Sequence, residues 1–186
     1  MEAVAVKTYI SIVELARQPM FYLECGVADT PDGRFDMVAV HAALLLRRLR
    51  RDQERTERLA QAVFDLMFAD MDQNLREMGV GDLAVGKRIK RMAQGFYGRL
   101  AAYDKALADP SGDGLGEALV RNVYRHRPPS AGELAKLADY VRGFAAALDR
   151  EATEALLAGD VQRAPARGDA MNDFETAGHD ARGSGA

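Results

Sequence analysis

Lys87, Arg88, Lys90 and Arg91 put four cations into five residues, and from Leu83 to Leu107 the cations Lys87, Arg88, Lys90, Arg91, Arg99 and Lys105 face Asp104 alone. A stretch of one sign can hold anions: RNA phosphates, lipid headgroups or an acidic protein surface. The plain alternative is a solvated helix face. Met67, Met71, Phe64 and Phe68 are soft or aromatic side chains that adapt to hydrophobic partners when they line a groove and fill a core when they do not. Phe96 and Tyr97 stand between Gly95 and Gly98. Either another helix backbone approaches at those glycines, or a local bend exposes the two rings. Asp70 falls among apolar positions of its helix, where a buried carboxylate needs a partner. Arg99 or another cation of the following helix would supply one.

Catalytic and metal chemistry find few candidates. Gly79, Gly81 and Gly86 lack the dinucleotide spacing and follow a Met-rich helix rather than a strand, so they read as corner residues. His41, His126 and His179 are far apart in sequence, Cys25 is single, and no carboxylate lies at ligand spacing from a histidine. His41 reads as a core-edge residue with one hydrogen-bond partner. No Ser, Cys or His stands in a nucleophilic arrangement. The expectation is a protein without catalytic, metal or cofactor sites.

Helices must position these residues. Val6, Tyr9, Ile10, Val13 and Ala16 recur at helical spacing to about Arg17, and Pro19 ends that helix or opens a short next one. Asp29 to Gly33 is turn chemistry. Asp36 can cap a helix to about Arg51, with Phe35 and Val40 as a staple and Val38, His41, Ala42, Leu45 and Leu49 on one face. The basic run Arg47, Arg48, Arg50 and Arg51 suits its C-terminal dipole. From about Thr56 to Met78 the apolar residues cover an arc of roughly 200°, twice a surface stripe, which makes this the expected central helix. Met78, Gly79 and Val80 close it with a left-handed glycine corner, and Asp82 can cap the next helix. That helix sets Val85, Ile89, Met92, Phe96, Leu100, Tyr103 and Leu107 to one side. A short helix from about Leu115 to Tyr124 follows. Ser130 and Glu133 then form a capping box for a last helix to about Leu157. From Gly159 apolar residues thin out and disorder is expected.

The 186 residues suffice for one domain and a tail, and 48% apolar residues give that domain a core. No alternating β pattern appears, so the fold class is all-α: a compact domain of about six to seven helices over residues 1–158 and a disordered tail over 159–186. A net charge of −3 argues against a surface built for nucleic acid, and DNA is not an expected partner. One cysteine permits no intrachain disulfide, and the N-terminus shows no signal, transit or membrane-spanning pattern. A cytoplasmic protein is expected.

Several ordered pieces resemble the ubiquinol-cytochrome c chaperone family, assembly factors for cytochrome b of respiratory complex III. They are Ala16-Arg17 with Phe21-Tyr22, the turn Asp29-Thr30-Pro31-Asp32-Gly33-Arg34-Phe35, His41 before a Leu-rich helix, the hairpin around Met78-Gly79-Val80, and Phe96-Tyr97-Gly98-Arg99 with Ala102-Tyr103. The likeness spans about Tyr9 to Leu107 and fades beyond. It implies a chaperone that engages newly made cytochrome b during assembly of the ubiquinol-cytochrome c reductase. It also implies association with the ribosome near the tunnel exit, and either a small partner protein or self-association. The targeting or membrane segment of mitochondrial relatives is not seen, so at most peripheral contact at the inner face of the cytoplasmic membrane is expected. An apolar groove beside a basic rim would suit such clients, with Lys87, Arg88, Lys90, Arg91, Phe96, Tyr97, Arg99, Met67 and Met71 as candidate partner-binding residues. The alternative is a ribosome- or RNA-binding helical module without a cytochrome b client.

Overall fold

The computed structural model describes residues 1–109, 114–125 and 127–161, and these form helices without a strand. In chain order they are α1 (Glu2–Ala16), α2 (Pro19–Leu23), α3 (Pro31–Leu49), a single 3₁₀ turn (Arg50–Asp52), α4 (Gln53–Glu77), α5 (Asp82–Ala108), α6 (Gly114–Asn122), α7 (Ala131–Arg150) and α8 (Thr153–Leu157). Six of the described helices have nine residues or more, within the expected number.

α3 is the axis of the molecule. It packs against α1, α4, α5 and α7, while α6 joins α5 to α7. Its residues are buried on nearly every side, from Phe35 through Leu49, because Ala39, Ala42 and Ala43 let neighbouring helices approach where larger side chains would hold them off. The expectation of α4 as the central helix is thereby corrected: α4 buries Thr56, Leu59, Val63, Met67, Phe68 and Leu75 and exposes its other side. α1 likewise turns a different face inward. Ala5, Thr8, Ile12, Leu15 and Ala16 are buried, whereas Val6 and Ile10 lie exposed.

α3 starts earlier than Asp36. Thr30 caps it by accepting the Gly33 amide at 3.2 Å, and Pro31 occupies the first turn, where its missing N–H costs nothing. A Cβ on Gly33 would lie 2.0 Å from the Ala28 carbonyl oxygen, so only glycine closes this turn. Asp36 therefore sits inside the helix, 2% exposed, and accepts hydrogen bonds from Arg99 at 2.7 Å and from Arg125. Burial raises its carboxyl above the ordinary value, and the two guanidiniums oppose that shift.

The α4–α5 corner follows the sequence pattern. Gly79 has φ +81°, the Val80 amide donates to the Leu75 carbonyl at 3.1 Å, and the Gly79 amide donates to Arg76 at 2.9 Å, which is a Schellman closure. Asp82 makes no cap. It is the first residue of α5, the cap position belongs to Gly81, and the Asp82 carboxylate pairs with Arg76. The capping box of Ser130 and Glu133 is formed at α7, and with Arg127 it holds the Glu133 carboxyl down at about 2.

The basic run at the end of α3 serves the fold. Arg48 is buried and donates to the carbonyls of Leu148, at 3.0 Å, and Glu151, at 2.6 Å, and to the Thr153 hydroxyl, so it satisfies the C-terminal end of α7. Arg47 pairs with Asp104 and Asp149, and Arg51 with Asp149. Order continues past the expected boundary at 158: Gly159, at φ +79°, lies against Val4 and Lys7, and Asp160 accepts a hydrogen bond from Lys7 at 2.6 Å. The rest of the expected disordered tail, 162–186, lies outside the described residues.

Candidate functional site

Between α1, the start of α3, the end of α4 and the first turns of α5 lies a groove of about 800 Å³. Val13, Phe35, Val38, Met71, Leu75 and Met92 give it an apolar floor, with Met78 at the corner end. Arg17, Arg34, Arg88 and Arg91 stand around it, and Asp29, Asp32 and Asp70 interrupt the positive rim. Arg34 is occupied by Asp29 at 2.6 Å, and this pair lowers the Asp29 carboxyl and raises the guanidinium. Arg17, Arg88 and Arg91 make no ion pair among the described residues. The groove thus presents hydrocarbon with uncommitted cations at its edge. That combination holds apolar segments flanked by negative charge.

Asp70 reaches this groove, and its partner is not the expected cation of α5. It accepts a hydrogen bond from the Tyr9 hydroxyl at 2.7 Å and from Asn74 at 3.2 Å. Burial, and then that carboxylate, push the Tyr9 hydroxyl well above the ordinary phenol range. Arg99, the cation expected for Asp70, serves Asp36 instead.

The candidate partner-binding residues divide into three groups. Arg88, Arg91 and Met71 line the groove, and Lys87 and Lys90 are exposed on α5 beside it. Tyr97 is exposed two turns further on and stacks over Phe64 at 5.4 Å. Met67, Phe96 and Arg99 face inward: Met67 and Phe96 are buried, and Arg99 is held by the Asp36 carboxylate. Phe64 and Phe68, read from sequence as groove residues, pack with Phe96 between α4 and α5. The glycines beside those rings do not mark a close helix approach, because a Cβ at Gly95 or Gly98 would meet nothing within 4 Å. α5 runs on through both. Sequence reading missed Arg17, Arg34 and Phe35 as groove residues, although two of the pieces that carry the family likeness contain them. Only the packing of α1 on α3 brings those pieces to the α4–α5 hairpin.

The groups with catalytic potential are engaged elsewhere. His41 is fully buried with two partners rather than one: Nδ1 lies 2.8 Å from the Met37 carbonyl and Nε2 2.8 Å from the Tyr140 hydroxyl. A carbonyl only accepts, so Nδ1 carries the proton and Nε2 accepts from Tyr140. Burial lowers the imidazole to about 4, and Phe21, Tyr140 and Phe144 surround the ring. Burial pushes the Cys25 thiol up to about 11, which keeps it protonated. Among the described residues no cluster could hold a metal, and no helix is long and apolar enough to cross a membrane.

A solved structure shares this architecture. The crystal structure of the Cbp3 homolog from Brucella abortus superposes with a TM-score of 0.79 at 38% identity, over 87% of this chain and 89% of that one. Ubiquinol-cytochrome c reductase complex assembly factor 1 of mouse is 27% identical over 162 residues, as is its human counterpart. These cover 87% of this chain, which spans about half the length of those relatives. The pattern of the ubiquinol-cytochrome C chaperone family matches residues 23–164. It therefore runs through α6, α7 and α8 rather than fading after Leu107, and the helices that close the core around α3 are part of it. By that match, over most of its length, the chain belongs to the ubiquinol-cytochrome C chaperone family.

Proposed function

We propose that this protein is a chaperone for assembly of the ubiquinol-cytochrome c reductase and that its groove receives a hydrophobic segment of newly made cytochrome b. The observation that carries the reading is the apolar floor of Met71, Leu75, Met92, Phe35 and Val38 beside Arg17, Arg88 and Arg91, which make no ion pair among the described residues. Methionine side chains adapt to varied apolar surfaces, and arginines at the edge meet acidic groups flanking such a segment. The function is binding without a chemical step. It shields apolar surface that would otherwise aggregate before assembly.

The test is deletion of the gene in its host, with cytochrome b read from reduced-minus-oxidised spectra and complex assembly from native gels. Wild type restores both, and a Met71→Glu/Met92→Glu variant that keeps wild-type helicity restores neither. A photo-crosslinking residue at position 92 is expected to capture cytochrome b during its synthesis. Normal cytochrome b in the deletion strain would overturn the role. Full rescue by the groove variant, with no adduct from position 92, would overturn the site.

A further inference from the structure

The tip of the α4–α5 hairpin carries apolar surface that the fold does not bury. Leu83 is 90% exposed and Met78 54% exposed. Behind them along α5 stand Lys87, Arg88, Lys90 and Arg91, all exposed and none in an ion pair among the described residues. Acids at the tip are few. Asp82 shares Arg76 with Asp72, Glu77 is bonded by Gln73, and from Asp72 to Arg91 five cations stand against these three carboxylates.

Apolar tip and cationic collar together distinguish among anionic partners. A single-stranded RNA surface is met by cations with aromatic rings for stacking, and the exposed ring of this helix, Tyr97, lies about 20 Å from Leu83 along α5. Leu83 and Met78 gain by leaving water, which a bilayer permits and a phosphate surface does not. At 1.5 Å per residue, Arg91 stands about 12 Å behind Leu83. Apolar residues of interfacial helices sink about 5–10 Å into the headgroup boundary. That depth leaves Lys87 to Arg91 among or just above the headgroups, within a Debye length of the anionic surface.

We infer that the α4–α5 hairpin docks tip-first on an anionic lipid bilayer, with Met78 and Leu83 entering the headgroup region and Lys87, Arg88, Lys90 and Arg91 meeting the lipid phosphates. Met78, Arg88 and Arg91 also border the groove, so docking sets the groove mouth at the surface where a membrane-embedded client lies. In that respect the inference deepens the client reading, but its test needs no client.

The full chain is floated with vesicles of phosphatidylcholine alone and of phosphatidylcholine with phosphatidylglycerol, at low and high salt. Binding is expected only with the anionic vesicles and is expected to weaken at high salt. Lys87→Glu/Arg91→Glu should lower it at least about tenfold, and Leu83→Asp, at a position too exposed to disturb folding, should lower it about tenfold on its own. Failure to bind anionic vesicles, or binding indifferent to Leu83→Asp, overturns the inference. Binding to ribosomal RNA that the charge reversal abolishes and Leu83→Asp leaves unchanged, with no vesicle binding, would assign the collar to RNA. Because cytochrome b is absent from these mixtures, a negative result leaves the client reading standing.

Discussion

Arg99 and Asp36 show how a residue that could meet a partner is spent on the fold. Arg99→Met would leave the Asp36 carboxylate, 2% exposed, with Arg125 alone. Breaking a buried pair from one side costs about 3 kcal/mol, so equilibrium denaturation should register a loss of that order before any effect on binding. His41 gives a pH dependence. Its folded value of about 4 lies below the ordinary 6.5, so the unfolded chain takes up the proton first. The stability it supports is complete above about pH 6.5 and is lost as pH falls toward about 4, with about 2 kcal/mol lost between pH 7 and pH 5. Urea titrations at those two pH values should show the loss in wild type and a flatter profile in His41→Gln. Neither role could be read locally. Arg125 lies 89 residues from Asp36 and Tyr140 lies 99 from His41, so both partners are products of the tertiary fold.

Two helix boundaries written in short-range hydrogen bonds, at Gly79 and Ser130, were legible in the sequence; the Thr30 cap of α3 and the choice of central helix were not. The glycine corner at Gly79 and the capping box at Ser130 depend on residues three to five apart, and both formed as the pattern dictates. α3 was read as one-sided from Val38, His41, Ala42, Leu45 and Leu49, yet small residues such as Ala39 and Ala43 allow four helices to crowd around it. In α1, Ala16 is buried as read, but Ala5 and Thr8 take inner positions and Ile10 an outer one. Gly95 and Gly98, read as either a close helix approach or a local bend, stand in open space on a continuous helix. Alanine at either position should therefore stabilise the protein by about 0.5–1 kcal/mol. A thermal scan showing destabilisation would mean that α5 needs to bend at those positions. Gly79→Ala should cost about 1 kcal/mol despite the space around it, because its φ of +81° disfavours any side chain.

At the scale of the whole molecule the groove exists because α1 lies across α3 and α4, and residues 158–160 brace its outer side. Ending the protein after Arg150 would strip buried Arg48 of the Glu151 carbonyl and the Thr153 hydroxyl, two of its three acceptors. That truncation should cost about 3 kcal/mol. Ending after Ala158 removes mainly the solvent-exposed pair of Lys7 with Asp160 and should cost less than about 1 kcal/mol. Comparing the two by denaturant midpoint separates the anchor from the trim. The seat of α1 also has a consequence in time. Lys7 and Asp160 are 153 residues apart, and a ribosome adding about 5–20 residues per second makes that interval in about 8–30 s. For those seconds the first helix has been made while the segment that braces it has not, and α3 waits with its apolar sides open for α7. A member of a chaperone family thus passes through its own unsheltered period, and synthesis at a slowed rate should lengthen it.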